Sequence, residues 1–213
     1  LTGTISFNQN NTSSVSSRVM GRIDKLYVKS EGEEIKAGEQ LYEIYSEDLN
    51  LAAKEYLLAA EKLKTLSNLT IDFEKLFQAA KNKLMLYGLA DGQLKDWAEK
   101  NNASVTFPIF SKESGIISSV DIKEGSTVME GESIFHIADL SSLWVEAQVY
   151  YDDLKMIKEN STAKIYLPDD ETRIYEGKIS FINPELNPSS RITLIRIEIP
   201  NKDKKLKPGM QVS

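Results

Sequence analysis

The 213 residues carry 26 Lys and Arg against 32 Asp and Glu, a net charge of −6, with 41% hydrophobic and 27% charged residues. That balance is ordinary for one or two globular domains and supplies no basic field for nucleic acid. Cysteine is absent, which excludes a thiol nucleophile, a disulfide framework and a cysteine metal site; no apolar run approaches the ~20 residues that cross a bilayer.

The first predicted strand is "LTGTISFN" at residues 1–8. It is expected to join a barrel made by the far end of the chain. From Gly21 comes "GRIDKLYVKSEGEEIKAGEQLYEI", and about ninety residues later "SGIISSVDIKEGSTVMEGESIFHI". Gly21, Ile23, Leu26 and Val28 align with Gly115, Ile117, Val120 and Ile122. Gly32, Ile35, Gly38, Leu41 and Ile44 align with Gly125, Val128, Gly131, Ile134 and Ile137, after a one-residue insertion. Apolar residues two or three apart, punctuated by glycine, predict short half-buried strands joined by tight turns. The six aligned glycines are read as turn or close-approach positions, where a Cβ would strain the backbone. Two such halves packed face to face give a small sandwich with a quasi-twofold axis, the pattern of the biotinyl/lipoyl fold.

Between the copies lies helix-like sequence, residues 47–106. In "EDLNLAAKEYLLAAEKLKTL", Leu49, Ala52, Tyr56, Ala59, Leu63 and Leu66 recur at heptad spacing. Ser46 is the expected N-cap, with Glu47 and Asp48 at the positive end of the helix dipole. Phe73, Phe77, Ala80, Leu84 and Tyr87 make a second stripe, with Thr70 as its expected N-cap and Gly88 as its stop. The turn Thr65, Leu66, Ser67, Asn68, Leu69 and Thr70 is the predicted tip of an antiparallel helical hairpin about 30 Å long. A third short helix is expected after Asp91 as N-cap, with Leu94, Trp97 and Ala98 on one face. The stripes predict mutual helix packing; they leave open whether the arm projects or folds back. Gly21, Gly115 and the segments 45–47 and 102–107 are expected to act as hinges.

The second copy of the repeat occupies 107–143. From Trp144 the pattern changes: "WVEAQVYY", "AKIYLP", "RIYEGKISFI" and "RITLIRIEI" alternate as strands, with "DDLKMIKENST" a short helix turning Leu154 and Ile157 inward. This predicts a small antiparallel β-barrel of five or six strands. The expected plan is nested: barrel at 1–18 and 144–213, split lipoyl-like domain at 19–46 and 107–143, and helical hairpin at 47–106. The chain starts at Leu1 and ends after "LKPGMQVS", where a strand begins. A fragment is expected, with a truncated membrane-proximal domain and any targeting or anchoring segment outside it.

No catalytic, cofactor or metal site is predicted. The lone His136 in "SIFHIADL" reads as a surface or hydrogen-bonded residue. The methionines at 20, 85, 129, 156 and 210 lack M-x-M or M-x-x-M spacing and read as dispersed. Soft thioethers bind Cu(I) or Ag(I) only when clustered. Asp152-Asp153 and Asp169-Asp170-Glu171 lack any partner pattern for acid/base work or calcium. A lipoyl or biotin carrier needs an exposed lysine at the hairpin joining the halves, and residues 47–106 replace that hairpin. Lys54 and Lys62 fall instead in helical pattern.

The stretch "GRIDKLYVKSEGEEIKAGEQLYEIYSEDLNLAAKEYL" resembles the periplasmic adaptors, or HlyD-type membrane fusion proteins, of tripartite RND efflux pumps, in their heavy-metal CusB-like branch. "IADLSSLWVEAQV", "INPELNPSSR" and "LKPGM" extend the resemblance over essentially the whole chain. It implies a non-enzymatic periplasmic subunit, anchored at the inner membrane by a segment outside this chain. It implies assembly as a ring, hexameric in many such adaptors, between an inner-membrane RND transporter and an outer-membrane channel. An adaptor of an ABC-type or type I secretion system is the alternative, and a lipoyl or biotin carrier a further one. The R-x3-L-x6-S tip motif of some adaptors is absent, since residues 47–101 contain no arginine.

Overall fold

In the computed structural model the described residues are 1–65, 72–168, 170–185 and 191–213. The chain runs through β1 (Gly3–Phe7), β2 (Thr12–Ser16), β3 (Gly21–Leu26), β4 (Glu34–Ile35) and β5 (Gln40–Tyr45). Three helices follow: α1 (Glu47–Thr65), α2 (Phe73–Leu86) and α3 (Asp91–Lys100). Next come β6 (Phe107–Phe110), β7 (Gly115–Val120), β8 (Thr127–Val128), β9 (Ser133–Ala138) and β10 (Ser142–Tyr150). The chain ends with β11 (Thr162–Leu167), β12 (Asp170–Ile182), β13 (Ile192–Pro200) and β14 (Gln211–Val212). It forms two compact units, residues 1–13 with 138–213, and residues 14–137.

The first unit is a six-stranded antiparallel sheet in the order β11-β12-β13-β10-β1-β14. It closes nearly into a barrel, because Tyr166 and Ser213 exchange backbone hydrogen bonds of 2.9 and 3.0 Å between β11 and the end of β14. Closure removes the two open edges of such a sheet. β1 pairs β10 from Gly3↔Ala147 to Phe7↔Leu143. The expected short helix at 152–162 is a 3₁₀ turn over Asp153–Met156, with Leu154 and Ile157 half-buried.

The second unit is the sandwich that carries the arm. Its sheets run β2-β9-β7-β4 and β6-β5-β3-β8. The strand at 12–16, ahead of the expected boundary at 19, is hydrogen-bonded into this sandwich. Neither sheet is one repeat half, as face-to-face packing of halves would give: each takes two strands from either copy. The repeat alignment maps β2, β9, β7 and β4 onto β6, β5, β3 and β8 in order, so the axis relates one sheet to the other. The short β4 and β8 do not span their own half and complete their ladders on the opposite one. β4 pairs β7 and β8 pairs β3.

The turns repeat this exchange. Gly32 N–H donates to Ile117 O at 2.8 Å, and its counterpart Gly125 N–H donates to Ile23 O at 2.8 Å. Gly38 N–H donates to Ser111 O, and Gly131 N–H to Ser17 O, both at 2.8 Å. These four glycines have φ between 85° and 87°, in the left-handed region that a side chain strains. Gly21 and Gly115 are not left-handed turn residues: each is the first residue of a paired strand, outside the left-handed region. At Gly21 a Cβ would stand 2.4 Å from the Tyr45 carbonyl oxygen, so this position is small because two strands pass close together.

Four aligned core pairs are equally buried, Ile23 with Ile117, Ile35 with Val128, Leu41 with Ile134 and Ile44 with Ile137, whereas Leu26 and Val28 are buried and their counterparts Val120 and Ile122 half-buried. Tyr42 and its counterpart Phe135 meet with ring centroids 6.1 Å apart, a tilted aromatic pair joining the two halves. Full burial of each such aliphatic side chain contributes about 1.5–3 kcal/mol.

Candidate functional site: the helical arm and its base

α1 begins where β5 ends. Ser46, fully buried, is the expected cap: its Oγ accepts from Leu49 N–H at 3.5 Å, and its carbonyl accepts the Asn50 side chain at 2.8 Å. The buried residues of α1 are Leu49, Ala52, Ala53, Tyr56 and Ala60. The stripe drifts from Ala59 to Ala60, as a straight 3.6-residue helix drifts from a strict heptad. On α2 the buried ends are Phe73 and Leu84, with Phe77 and Ala80 half-buried between them.

Tyr56 is the junction of the three helices. Its ring stacks on Phe77 at 5.2 Å, and its hydroxyl donates to Leu94 O at 3.0 Å. Burial pushes its phenol pKa up. Trp97 of α3 packs edge-on against Phe107 of β6 at 5.5 Å. Leu49, Tyr56, Leu84, Leu94 and Trp97 belong to one apolar cluster with Ile23, Ile44 and Phe135 of the sandwich. The base of the arm is therefore part of the sandwich core.

Polar ties flank the base. Arg18 donates to Leu86 O at 3.1 Å, next to Gly88, whose φ of 103° ends α2 as a glycine stop. Glu55 of α1 bridges Lys83 of α2 at 2.9 Å. Asp91 is the first residue of α3 rather than its cap; the cap position is Ala90, whose N–H is accepted by Gln93 Oε1 at 2.8 Å. The Asp91 carboxylate instead bridges Lys81 and Lys95, which hold its pKa down to about 2.

Exposed apolar side chains run along the whole arm, Leu51, Met85 and Leu86 near its base and Leu58 and Leu76 further out. A groove between α1 and α2 is lined by Leu58, Ala59, Phe73, Leu76 and Ala80 between Glu55, Lys62 and Lys83. Of the predicted tip, Thr65 is the exposed last residue of α1, its Oγ1 donating to Glu61 O at 2.9 Å. Leu66, Ser67, Asn68, Leu69 and Thr70 lie outside the described residues, as does the expected Thr70 cap. The recorded cap of α2 is Asp72, which accepts from Lys75 N–H at 3.2 Å. Lys54 and Lys62 stand exposed on α1.

The lone histidine has partners. His136 Nε2 lies 3.2 Å from Ser133 Oγ and 3.3 Å from Asp121 Oδ2. Serine and carboxylate meet the same ring nitrogen, so no relay from serine through imidazole to carboxylate exists. Ser133 leads the hydrogen bonds that lower the Asp121 pKa, with Ser119 and His136 adding to it. At the aligned positions of the first half, Tyr27 donates to Glu43 at 2.6 Å and Gln40 donates to Glu43 at 3.1 Å. These are equivalent surface clusters tying neighbouring strands. Among the described residues, no group of three or more His, Asp or Glu is placed to hold a metal ion. Two serines that the sequence reading missed are buried at aligned positions. Ser17 Oγ donates to Val19 O and Ser111 Oγ donates to Glu113 O, each at 2.6 Å. Extending the repeat alignment four residues upstream finds them.

A split sandwich holding a helical hairpin, with a six-stranded barrel in the same chain, defines a class with solved members. ZneB from Cupriavidus metallidurans has the same fold at TM-score 0.60 and 23% identity, covering 100% of this chain and 94% of that one. The membrane fusion protein Spr0693 from Streptococcus pneumoniae R6 matches at TM-score 0.53 and 16% identity, covering 100% and 98%.

Residues 12–138 match the family described as "CusB, barrel-sandwich hybrid domain", and residues 142–213 match "CusB-like, beta-barrel domain". The chain belongs to the CusB-like membrane fusion proteins of RND systems. It is 22% identical over 206 residues to the cation efflux system protein CusB of Escherichia coli K12, covering 97% of this chain and 49% of that protein. It is 25% identical over 228 residues to the cation efflux system protein CzcB of Alcaligenes sp. strain CT14, covering 99% and 43%. The chain thus spans about half the length of these curated relatives. Among the described residues, no helix is long and apolar enough to cross a membrane.

Proposed function

We propose that this chain is the adaptor of a tripartite efflux system, a non-enzymatic periplasmic subunit anchored at the inner membrane. It bridges an RND transporter to an outer-membrane channel and serves the export of heavy-metal cations. In the pump it self-associates as a ring. The observation that carries this reading is the shared core of arm and sandwich. Tyr56, Leu94 and Trp97 bury the hairpin base in the sandwich, while Leu58 and Leu76 further along the helices remain open. Exposed leucines on a rigidly rooted arm suit helix-on-helix docking. The names of the relatives, cation efflux and cobalt-zinc-cadmium resistance, support the substrate class.

The test is deletion of the gene in the native organism, followed by growth on copper, silver, zinc, cobalt and cadmium salts. The deletion is expected to sensitise growth to at least one of these. The wild-type gene restores growth, and a variant with residues 58–80 replaced by a short glycine-serine link does not. Full restoration by the armless variant would contradict the bridging role. Unchanged tolerance to every metal would contradict metal export.

A further inference from the structure

Arg22 and Arg196 each stack on an aromatic ring, and they differ in what balances the charge. Arg22 lies over Tyr45 at 5.7 Å and holds the Asp24 carboxylate at 2.7 Å. Arg196, on β13 of the barrel unit, lies 3.8 Å over the Trp144 ring and 5.7 Å from the Phe181 ring. Its Nε is buried without a hydrogen-bond partner, and among the described residues Arg196 forms no ion pair. Glu146 stands directly across the ladder from it and still does not bridge it. A guanidinium clamped between two rings has its fork already set for a carboxylate.

Arg196 begins a strip along the outer face of the barrel. Alternate residues of a strand share a face. Leu194 therefore follows Arg196 on β13, opposite Gln148, and Tyr150 follows on β10, opposite Ile192. Phe181, Leu194 and Tyr150 are 43%, 42% and 59% exposed. Past Tyr150 the turn carries two exposed carboxylates, Asp152 and Asp153, between exposed Tyr151 and Met156. Neither carboxylate forms an ion pair among the described residues. Tyr151 N–H donates to Arg191 O at 3.0 Å, which fixes the turn against β13. Tyr150 stands about 13 Å along β10 from Glu146, the residue facing Arg196. The cation and the aspartates beyond Tyr150 therefore do not meet within one chain.

The strip is cationic at one end, anionic at the other and apolar between. Such a strip complements a copy of itself rotated by half a turn: each end meets the opposite charge, and the apolar stretches face each other. We propose that the outer β10–β13 face is a self-association surface, on which two copies of this chain pair about a twofold axis and Arg196 of each receives Asp152 or Asp153 of the other. An arginine backed by Trp144 and Phe181 and flanked by Leu194 and Tyr150 has the composition of an interface hot spot. The surface follows from register, charge and exposure and does not depend on the adaptor reading.

The test is sedimentation velocity of the full chain across a concentration series. The mass is expected to rise reversibly from one chain to two. Arg196→Glu, and separately Asp152→Lys combined with Asp153→Lys, are each expected to weaken the dimer about tenfold or more. Mixed in equal amounts, the two folded variants are expected to dimerise again, because each then offers the charge the other needs. The aspartates are exposed and Asp152 makes no side-chain cap bond, so their variant reads the surface even where Arg196→Glu disturbs the fold. Leu194→Glu, in the apolar stretch, is expected to weaken the dimer likewise. A chain that stays monomeric at every concentration would overturn the surface. So would a dimer that the aspartate variant leaves intact, or a mixture of the two folded variants that stays monomeric.

Discussion

The two halves of the sandwich share a backbone frame but not its decoration. Every cross-half bond of a turn glycine occurs twice, Gly32 with Gly125 and Gly38 with Gly131, at the same 2.8 Å. The buried serines Ser17 and Ser111 repeat as well. On the surface the correspondence ends. Tyr27, Glu43 and Gln40 in one half become Asp121, His136 and Ser133 in the other. The frame is held because each half completes the other's ladders, so a change in one turn is felt in both. The surface is free to diverge because those side chains bond only locally. Function in such a fold is to be sought where the halves differ.

The sharpest way to break the comparison is in the core. Ile23→Ala and Ile117→Ala are each expected to cost about 2–5 kcal/mol, and to agree within about 1 kcal/mol, by denaturant melts of each variant. Strongly unequal costs would show that the two halves do not share the core equally. Next comes Ser17→Ala, which leaves the buried Val19 carbonyl without its donor, at about 1–3 kcal/mol, and then Ser111→Ala, whose acceptor belongs to the exposed Glu113, at about 0.5–1.5 kcal/mol. Gly38→Ala and Gly131→Ala have open space for a methyl group and so cost only left-handed strain, about 1–2 kcal/mol each in the same melts.

The smallest effect sharpens the contrast between the surface clusters. Asp121 is held below the usual carboxylate range, first by Ser133. A lowered folded pKa contributes stability above the unfolded pKa of about 3.9, and that contribution is lost as pH falls through the folded value. Asp121→Asn is therefore expected to lose less Tm than the wild type between pH 5 and pH 2. An identical acid slope for both proteins would show that the cluster adds nothing.

Much of this was legible in the sequence because glycine and apolar spacing report directly on turns and buried faces. Gly32, Gly38, Gly125 and Gly131 mark left-handed turns, and the Leu49–Tyr56 stripe marks the helix that enters the core. Strand exchange between the halves was not legible, because periodicity gives the face of a strand and not its neighbour. Asp91 read as a cap, since Asp before an apolar run is a good one; Lys81 and Lys95 draw its carboxylate elsewhere. Gly21 read as a turn or a close approach, and the pattern could not choose between them; its smallness answers the Tyr45 carbonyl across the sheet.

The proposal that the arm reaches an outer-membrane channel is tested most directly by placing a photo-crosslinking residue at Thr65, the exposed last residue of α1, in the full-length protein in its native cells. The account predicts a crosslinked product containing an outer-membrane channel protein, lost when the channel gene is deleted. Crosslinks from Thr65 only to inner-membrane proteins would contradict it.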